Sequence, residues 1–261
     1  MSDARGFGVA AGLDSAVAVQ LAGRCEELGY TSMWSNDHPA ASGIETLADF
    51  ADGSAAMKLG VAVLALDRND PADINRKIDE CGLERSRLLI GVGAGFSKKP
   101  LTRMREVHDE LRETIPGVKL ILAAMGPKMC ALAGSHYDGA FFNWMTPAFA
   151  AQARGKVEEG AADAGRETPR VYGYVRTSVG ADAETRLAKE EGFYRDLHDG
   201  YRNHFERLDE PPGSVGVAAE QPAEASTALE DYEALDTVVV RGLASANFDA
   251  MDRVATAAAP V

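Results

Sequence analysis

Short apolar runs recur along the chain, separated by stretches in which apolar residues return at helical spacing. The runs are Phe7 to Ala10, Ser32 to Trp34, Lys58 to Leu64, Leu88 to Val92, Leu120 to Ala124, Ala140 to Phe142, Val171 to Val179 and Thr237 to Arg241. Each has the length of a strand buried on both faces. Between them, Val17, Leu21, Cys25 and Leu28 share one helical face, and Ile74, Ile78 and Cys81 share another. A helix is expected near residues 44–56, and Leu101, Met104 and Leu111 mark the helix after the fourth strand. Asp182 opens a long helical stretch whose inner side is Leu187, Tyr194, Leu197, Tyr201, Phe205 and Leu208. Phe248, Met251 and Val254 belong to a closing helix.

The punctuation fits these elements. Asp14 or Ser15 caps the first helix and Gly29 stops it. Asp70-Pro71, Gly126-Pro127 and Thr146-Pro147 each open a helix, with proline at the first helical position. Gly134 is expected to end the helix begun at Pro127. Strand followed by helix, repeated along 261 residues, predicts an α/β fold, a single (β/α)8 TIM barrel over 1–261. An open doubly wound sheet is the alternative. The segment from about 209 to 230, rich in Ala, Glu, Pro and Gly, is expected to be a mobile excursion before the eighth strand. Parallel barrels gather their ligands at the C-terminal ends of the strands. Those ends include Ala123, Ala124, Met125 and Gly126, then Asn143, Trp144 and Met145.

Composition narrows the field. At 46% hydrophobic and 26% charged residues the usage is that of a globular protein. A net charge of −13 and the lack of a Lys/Arg run argue against a nucleic-acid partner. No apolar run approaches membrane-spanning length, and the first residues lack a signal-peptide core, so a cytoplasmic protein is expected. Cys25, Cys81 and Cys130 are far apart and odd in number. They read as reduced, mostly buried residues that form neither a disulfide set nor a metal site.

Several segments together resemble the bacterial luciferase-like superfamily of flavin- and deazaflavin-dependent oxidoreductases. They are Glu27 to His38, Leu59 to Leu64, Leu89 to Gly95, Leu122 to Met129 and Ala133 to Gly139. Their order matches the barrel, since each ends a strand or begins the helix after it. The resemblance implies FMN or coenzyme F-420 as cofactor, a small organic substrate and a homodimer. In relatives that use coenzyme F-420, an Asp-His pair sits beside the ring, and Asp37-His38 matches it. A non-proline cis peptide in the third strand backs the ring, and Ala62-Val63 stands there. Gly93-Ala94-Gly95 matches a cofactor-contacting turn, and Ala123 to Gly126 and Phe142-Asn143 match further contacting strand ends. One position departs: Phe96 replaces an acidic residue that serves some relatives as proton donor. The segment from Pro39 to Ile44 is also shorter than in larger relatives.

The same residues suit that chemistry physically. A flat ring needs small side chains and exposed backbone amides behind it, which Gly and Ala at strand ends provide. Asn143 can meet the polar edge of such a ring, and His38 can move a proton near neutral pH. Arg176 and Arg241 end the last two strands, where barrels bind phosphate; an ion pair is an equal alternative for each. Trp34 and Trp144 serve as core or as pocket wall. His108, His198 and His204 fall on expected helices as surface or packing residues, and His136 at the bottom of the barrel is structural. Two function classes stand: an oxidoreductase that passes a hydride or hydroxylates with oxygen, and a flavin- or metabolite-binding barrel without turnover.

Overall fold

The computed structural model describes residues 4–260. Its first half alternates strand and helix: β1 (Arg5–Val9), α1 (Ser15–Glu27), β2 (Ser32–Ser35), α2 (Gly43–Gly53), β3 (Lys58–Ala65), α3 (Pro71–Glu80) and β4 (Leu88–Gly93). Two short helices, α4 (Pro100–Glu106) and α5 (His108–Thr114), then lead to β5 (Lys119–Ala123), α6 (Pro127–His136), β6 (Gly139–Asn143), α7 (Pro147–Asp163) and β7 (Arg170–Val179). The remainder is α8 (Ala183–Leu197), α9 (Asp199–Leu208), β8 (Val217–Ala219), α10 (Pro222–Glu230), β9 (Thr237–Gly242) and α11 (Phe248–Ala257).

All strand pairings in the sheet are parallel. β1 to β7 pair in sequence, β9 lies between β7 and β1, and the β6–β7 pairing closes the ring. Eight strands therefore make a closed (β/α)8 barrel, as the spacing predicted. The ninth strand, β8, lies outside it, paired to the far end of β7 at Thr177 to Val179.

Strand alternation sorts the side chains into two cores. One set packs outward under the helices, including Val9, Met33, Leu59, Val92, Leu122, Phe142 and Val240. The other fills the barrel: Trp34, Ala62, Leu89, Ile121, Phe141, Tyr172, Tyr174 and Val239. The aromatics fit inside because glycine faces them. A side chain on Gly60 would overlap the Trp34 indole, and a Cβ on Gly8 would stand 2.7 Å from the Tyr174 ring. Trp34 is wholly buried there, with its indole N–H donating to Ser32 Oγ at 2.8 Å.

The helix caps are those the sequence marked. Asp14, Asp70 and Thr146 accept backbone N–H groups at the starts of α1, α3 and α7, and Gly29 takes the left-handed turn after α1. Three expectations are corrected. Gly134 does not end its helix; α6 runs on to His136. Its missing side chain, with that of Gly160, instead lets α6 and α7 press together, since a Cβ on either would overlap the other helix's backbone. The single helix expected after β4 is two, joined at Val107. The long helix after β7 is broken at His198, whose backbone is extended and whose Nδ1 accepts the Gly200 N–H to start α9. The 209–230 segment carries β8 and α10, and α10 buries Ala225 and Leu229.

The helices after β7 form a separate small core of Trp144, Leu187, Phe205, Leu208 and Val215. Glu191 of α8, fully buried, pairs with Arg195 at 2.7 Å and accepts the Val215 N–H at 3.1 Å. That one carboxylate ties α8 to the chain approaching β8.

Candidate active site at the barrel mouth

Alternation continues past the filled interior and brings one inward-facing residue per strand to the C-terminal rim. On β3 to β5 these are small. Gly93 follows Leu89 on the inward side of β4, and Ala123 follows Ile121 on β5. A Cβ on Gly93 would lie 3.1 Å from Val63 and 3.5 Å from Ala123, so the three form one shallow wall. Beside them the Ala62–Val63 peptide is cis, as the resemblance implied, and the β3–β4 register shifts between Val61 and Leu64.

The opposite arc is polar and aromatic. Arg176, two residues after Tyr174 on β7, is 3% exposed. Its guanidinium lies 4.2 Å from the Trp144 ring centroid, 5.0 Å from Tyr194 and 5.5 Å from Tyr174. Its Nη1 donates to Asn143 Oδ1, and Asn143 Nδ2 lies 3.1 Å from the Tyr201 hydroxyl. Arg241 is its register partner on β9. Tyr174 and Tyr201 are held protonated, burial pushing each pKa up to about 12. Trp144 follows β6 with φ 54°, a left-handed conformation that a bulky residue adopts only where its surroundings hold it. Arg176 over its ring and His204 on its carbonyl, at 2.6 Å, supply that hold.

α8 and α9 reach over this rim. Tyr194 packs on Tyr201 at 5.0 Å, His198 on Tyr201 at 4.8 Å, and Phe96 of the β4 loop touches His198 at 5.5 Å. Phe96 is otherwise open, 71% exposed, and its N–H donates to Asp67 at 2.9 Å. The same carboxylate explains Gly95, which has φ +58° and no room for a side chain beside Asp67.

The Asp37-His38 pair divides its tasks. Asp37 accepts from Gly43 N at 3.1 Å, Arg68 at 3.1 Å and Asn69 at 3.3 Å, with its side chain only 8% exposed. Its carboxylate is thus committed to joining the loops after β2 and β3. His38 sits in a small bridge with Ala41, its Nδ1 accepting from Ala40 N at 3.3 Å and its Nε2 3.4 Å from the Ala11 carbonyl. These long contacts leave the half-buried imidazole near the end of β1.

The other expected site residues separate. Gly126 precedes α6 with open space where a side chain would be, and Met125 beside it is half-buried. Ala124 turns the other way, into the core under the helices, as does Ala94, because each follows an inward-facing residue. Their side chains do not line the mouth. Arg241 stands at its strand end as the sequence implied, whereas Tyr174, Tyr194 and Tyr201 carry no site role in the sequence reading. The signal for Tyr174 is the alternation itself: Tyr172, Tyr174 and Arg176 share the inward face of β7, just as Arg241 follows Val239 on β9.

Residues 102–254 match the luciferase-like monooxygenase family. The chain belongs to that family. Solved structures share the fold of this luciferase-like chain at low identity. An F-420-dependent secondary alcohol dehydrogenase in complex with an F-420–acetone adduct is 17% identical over 99% of both chains, with a TM-score of 0.73. A coenzyme F-420 dependent tetrahydromethanopterin reductase from Methanopyrus kandleri is 18% identical over 97% of both, also at 0.73. The oxygenating constituent of 3,6-diketocamphane monooxygenase from Pseudomonas putida, in complex with FMN, is 14% identical over 98% of both, at 0.62. Among the described residues no helix is long and apolar enough to cross a membrane.

Proposed function

We propose that this luciferase-like protein is an oxidoreductase that lays a flavin or deazaflavin ring, FMN or coenzyme F-420, across the barrel mouth. The observation that carries it is the two-sided rim: a wall of Ala62, Val63, Gly93 and Ala123 facing Asn143 and Arg176. A flat ring needs a wall without projecting side chains, and its polar edge needs fixed donors and acceptors. When bound, the cofactor supplies hydride transfer to a small organic substrate, or oxygen-dependent hydroxylation of it. Gly126 leaves space at the adjoining rim, and α8 with α9 screens the mouth from water.

His38 is the residue assigned to proton movement. It lies in a loop at the C-terminal end of the barrel, and its ring exchanges only long hydrogen bonds with Ala40 and Ala11, so little holds it back from turning. Asp37 is a positioning residue, fixing the loop through Arg68, Asn69 and Gly43.

Titration of the purified protein with FMN and with coenzyme F-420, followed by absorbance and fluorescence, tests the assignment. Saturable binding of one of them, with a band that bleaches on reduction, supports it. Binding of neither would leave a barrel without this chemistry.

A further inference from the structure

Arg5, buried, gives its Nη1 to the Ala258 and Ala259 carbonyls at 3.0 Å, and three half-buried arginines of this acidic chain find carboxylates. Arg195 pairs with Glu191 at 2.7 Å, Arg112 with Asp138 at 2.7 Å and Arg154 with Asp236 at 3.0 Å. Arg176 and Arg241 do not: among the described residues neither forms an ion pair. Arg176 spends Nη1 on Asn143, while its Nε is buried without a partner. Arg241 makes one long hydrogen bond, Nη1 to the Gly8 carbonyl at 3.4 Å. Among the described residues the Tyr174 hydroxyl and the Trp144 indole N–H, both buried beside Arg176, also lack partners. The two guanidiniums lie on register-paired residues of adjacent strands.

Two cations this close, with idle donors around them, repel each other and are poorly solvated. Burial lowers the Arg241 pKa, Arg176 lowers it further, and the neighbouring tyrosines and the more distant Glu190 oppose the shift. Arg241 nonetheless keeps part of its surface open, as a group at the floor of a cleft does. The missing component is an anion with several acceptor oxygens, which guanidinium forks bind bidentately.

We propose that Arg176 and Arg241, with the Tyr174 hydroxyl, form an oxyanion site that holds a carboxylate or phosphate group of the substrate. The site rests on the ring placement proposed above for the choice of substrate over cofactor. The pair stands on β7 and β9, across the rim from the small-residue wall of β3 to β5, so a group anchored there extends its remainder toward the ring. The enzyme thereby selects anionic organic substrates.

The test uses the full chain without cofactor and inorganic phosphate as probe, against chloride at equal ionic strength. Binding is measured by equilibrium dialysis and by the fluorescence of Trp144, which lies under Arg176. Saturable phosphate binding is expected, weakened about 10- to 100-fold in Arg241→Gln, whose loss is one charge-assisted contact. Arg241→Lys, which keeps the charge but not the fork, should weaken it less and serves if the first variant does not fold. Absence of saturable binding by the native protein, or equal binding by a folded Arg241→Gln, overturns the site. Repeating the titration at saturating FMN and at saturating riboflavin separates the sources. Phosphate binding unchanged by both supports a substrate site; competition by FMN alone would make it the seat of the cofactor's own phosphate and overturn the substrate assignment. Failure of both cofactors to bind would sink the proposed function, while the phosphate titration would still judge the anion site.

Discussion

Gly126 is a position where one side chain separates binding from folding. An added side chain there meets nothing within 4 Å, and the backbone, at φ −114°, suits any residue. Gly126→Val should therefore melt within a few degrees of the native protein yet lose measurable cofactor affinity, because the valine occupies the rim the ring needs. Unchanged affinity would show that the ring lies elsewhere. His38→Ala tests the reaction and not the seat. Its ring is bound only to Ala40 and Ala11, so the loop survives through Asp37, and cofactor affinity should stay within about tenfold. Single-turnover oxidation or reduction of the cofactor should slow at least about 100-fold, as for a lost proton donor. If the rate holds, His38 is a loop residue and the proton comes from another group.

Among elements, α9 depends on the protonation of a buried histidine. His204 is 1% exposed. Its Nε2 faces the Trp144 carbonyl, which can only accept, and its Nδ1 faces Arg207, which can only donate. These partners require the neutral ring with the proton on Nε2. Burial lowers the His204 pKa from its ordinary 6.5, and Arg207 lowers it further, against the Trp144 hydrogen bond. With the folded value below the unfolded one, stability is full above about pH 6.5 and declines as pH falls from there toward the folded value. Thermal melts at pH 7.5 and pH 5 should show a larger loss for the native protein than for His204→Gln, and equal slopes would refute the linkage. The elements themselves were largely legible beforehand. Caps such as Asp14, Asp70 and Thr146 declare themselves because a short polar side chain before an apolar face has one local use. Gly134 misled because a glycine that stops a helix and a glycine that admits a neighbouring helix look alike in one dimension. The strand at Val217–Ala219 depends on tertiary pairing with β7 and left no local pattern to read, while the break at His198 is a local cap on Gly200 made by a residue outside the usual capping set.

For the whole molecule, the barrel was legible from the count of strands, and its mouth from the strand ends. The partition of that mouth was not. It arises from which arc each strand occupies after closure, and from α8 and α9 folding back so that Tyr194 and Tyr201 meet Arg176 and Asn143. The filled interior sets the limit on change. Gly60→Ala should be among the most damaging small substitutions, costing about 3 kcal/mol or more, because the methyl falls on the wholly buried Trp34 indole and neither can move. Denaturant unfolding measures it, and a loss below about 1 kcal/mol would mean the barrel gives way more easily than close packing allows. Trp34→Leu alone should also destabilise, by leaving a cavity, yet the pair Gly60→Ala with Trp34→Leu should be less damaging than the two effects added together. Such a pair has a direction in time. A lineage holding a smaller residue at 34 is free to drift between Gly and Ala at 60, but once tryptophan arrives the glycine is locked in. The first step back must then shrink the indole, so ancestry at these two positions runs through one gate and not the other.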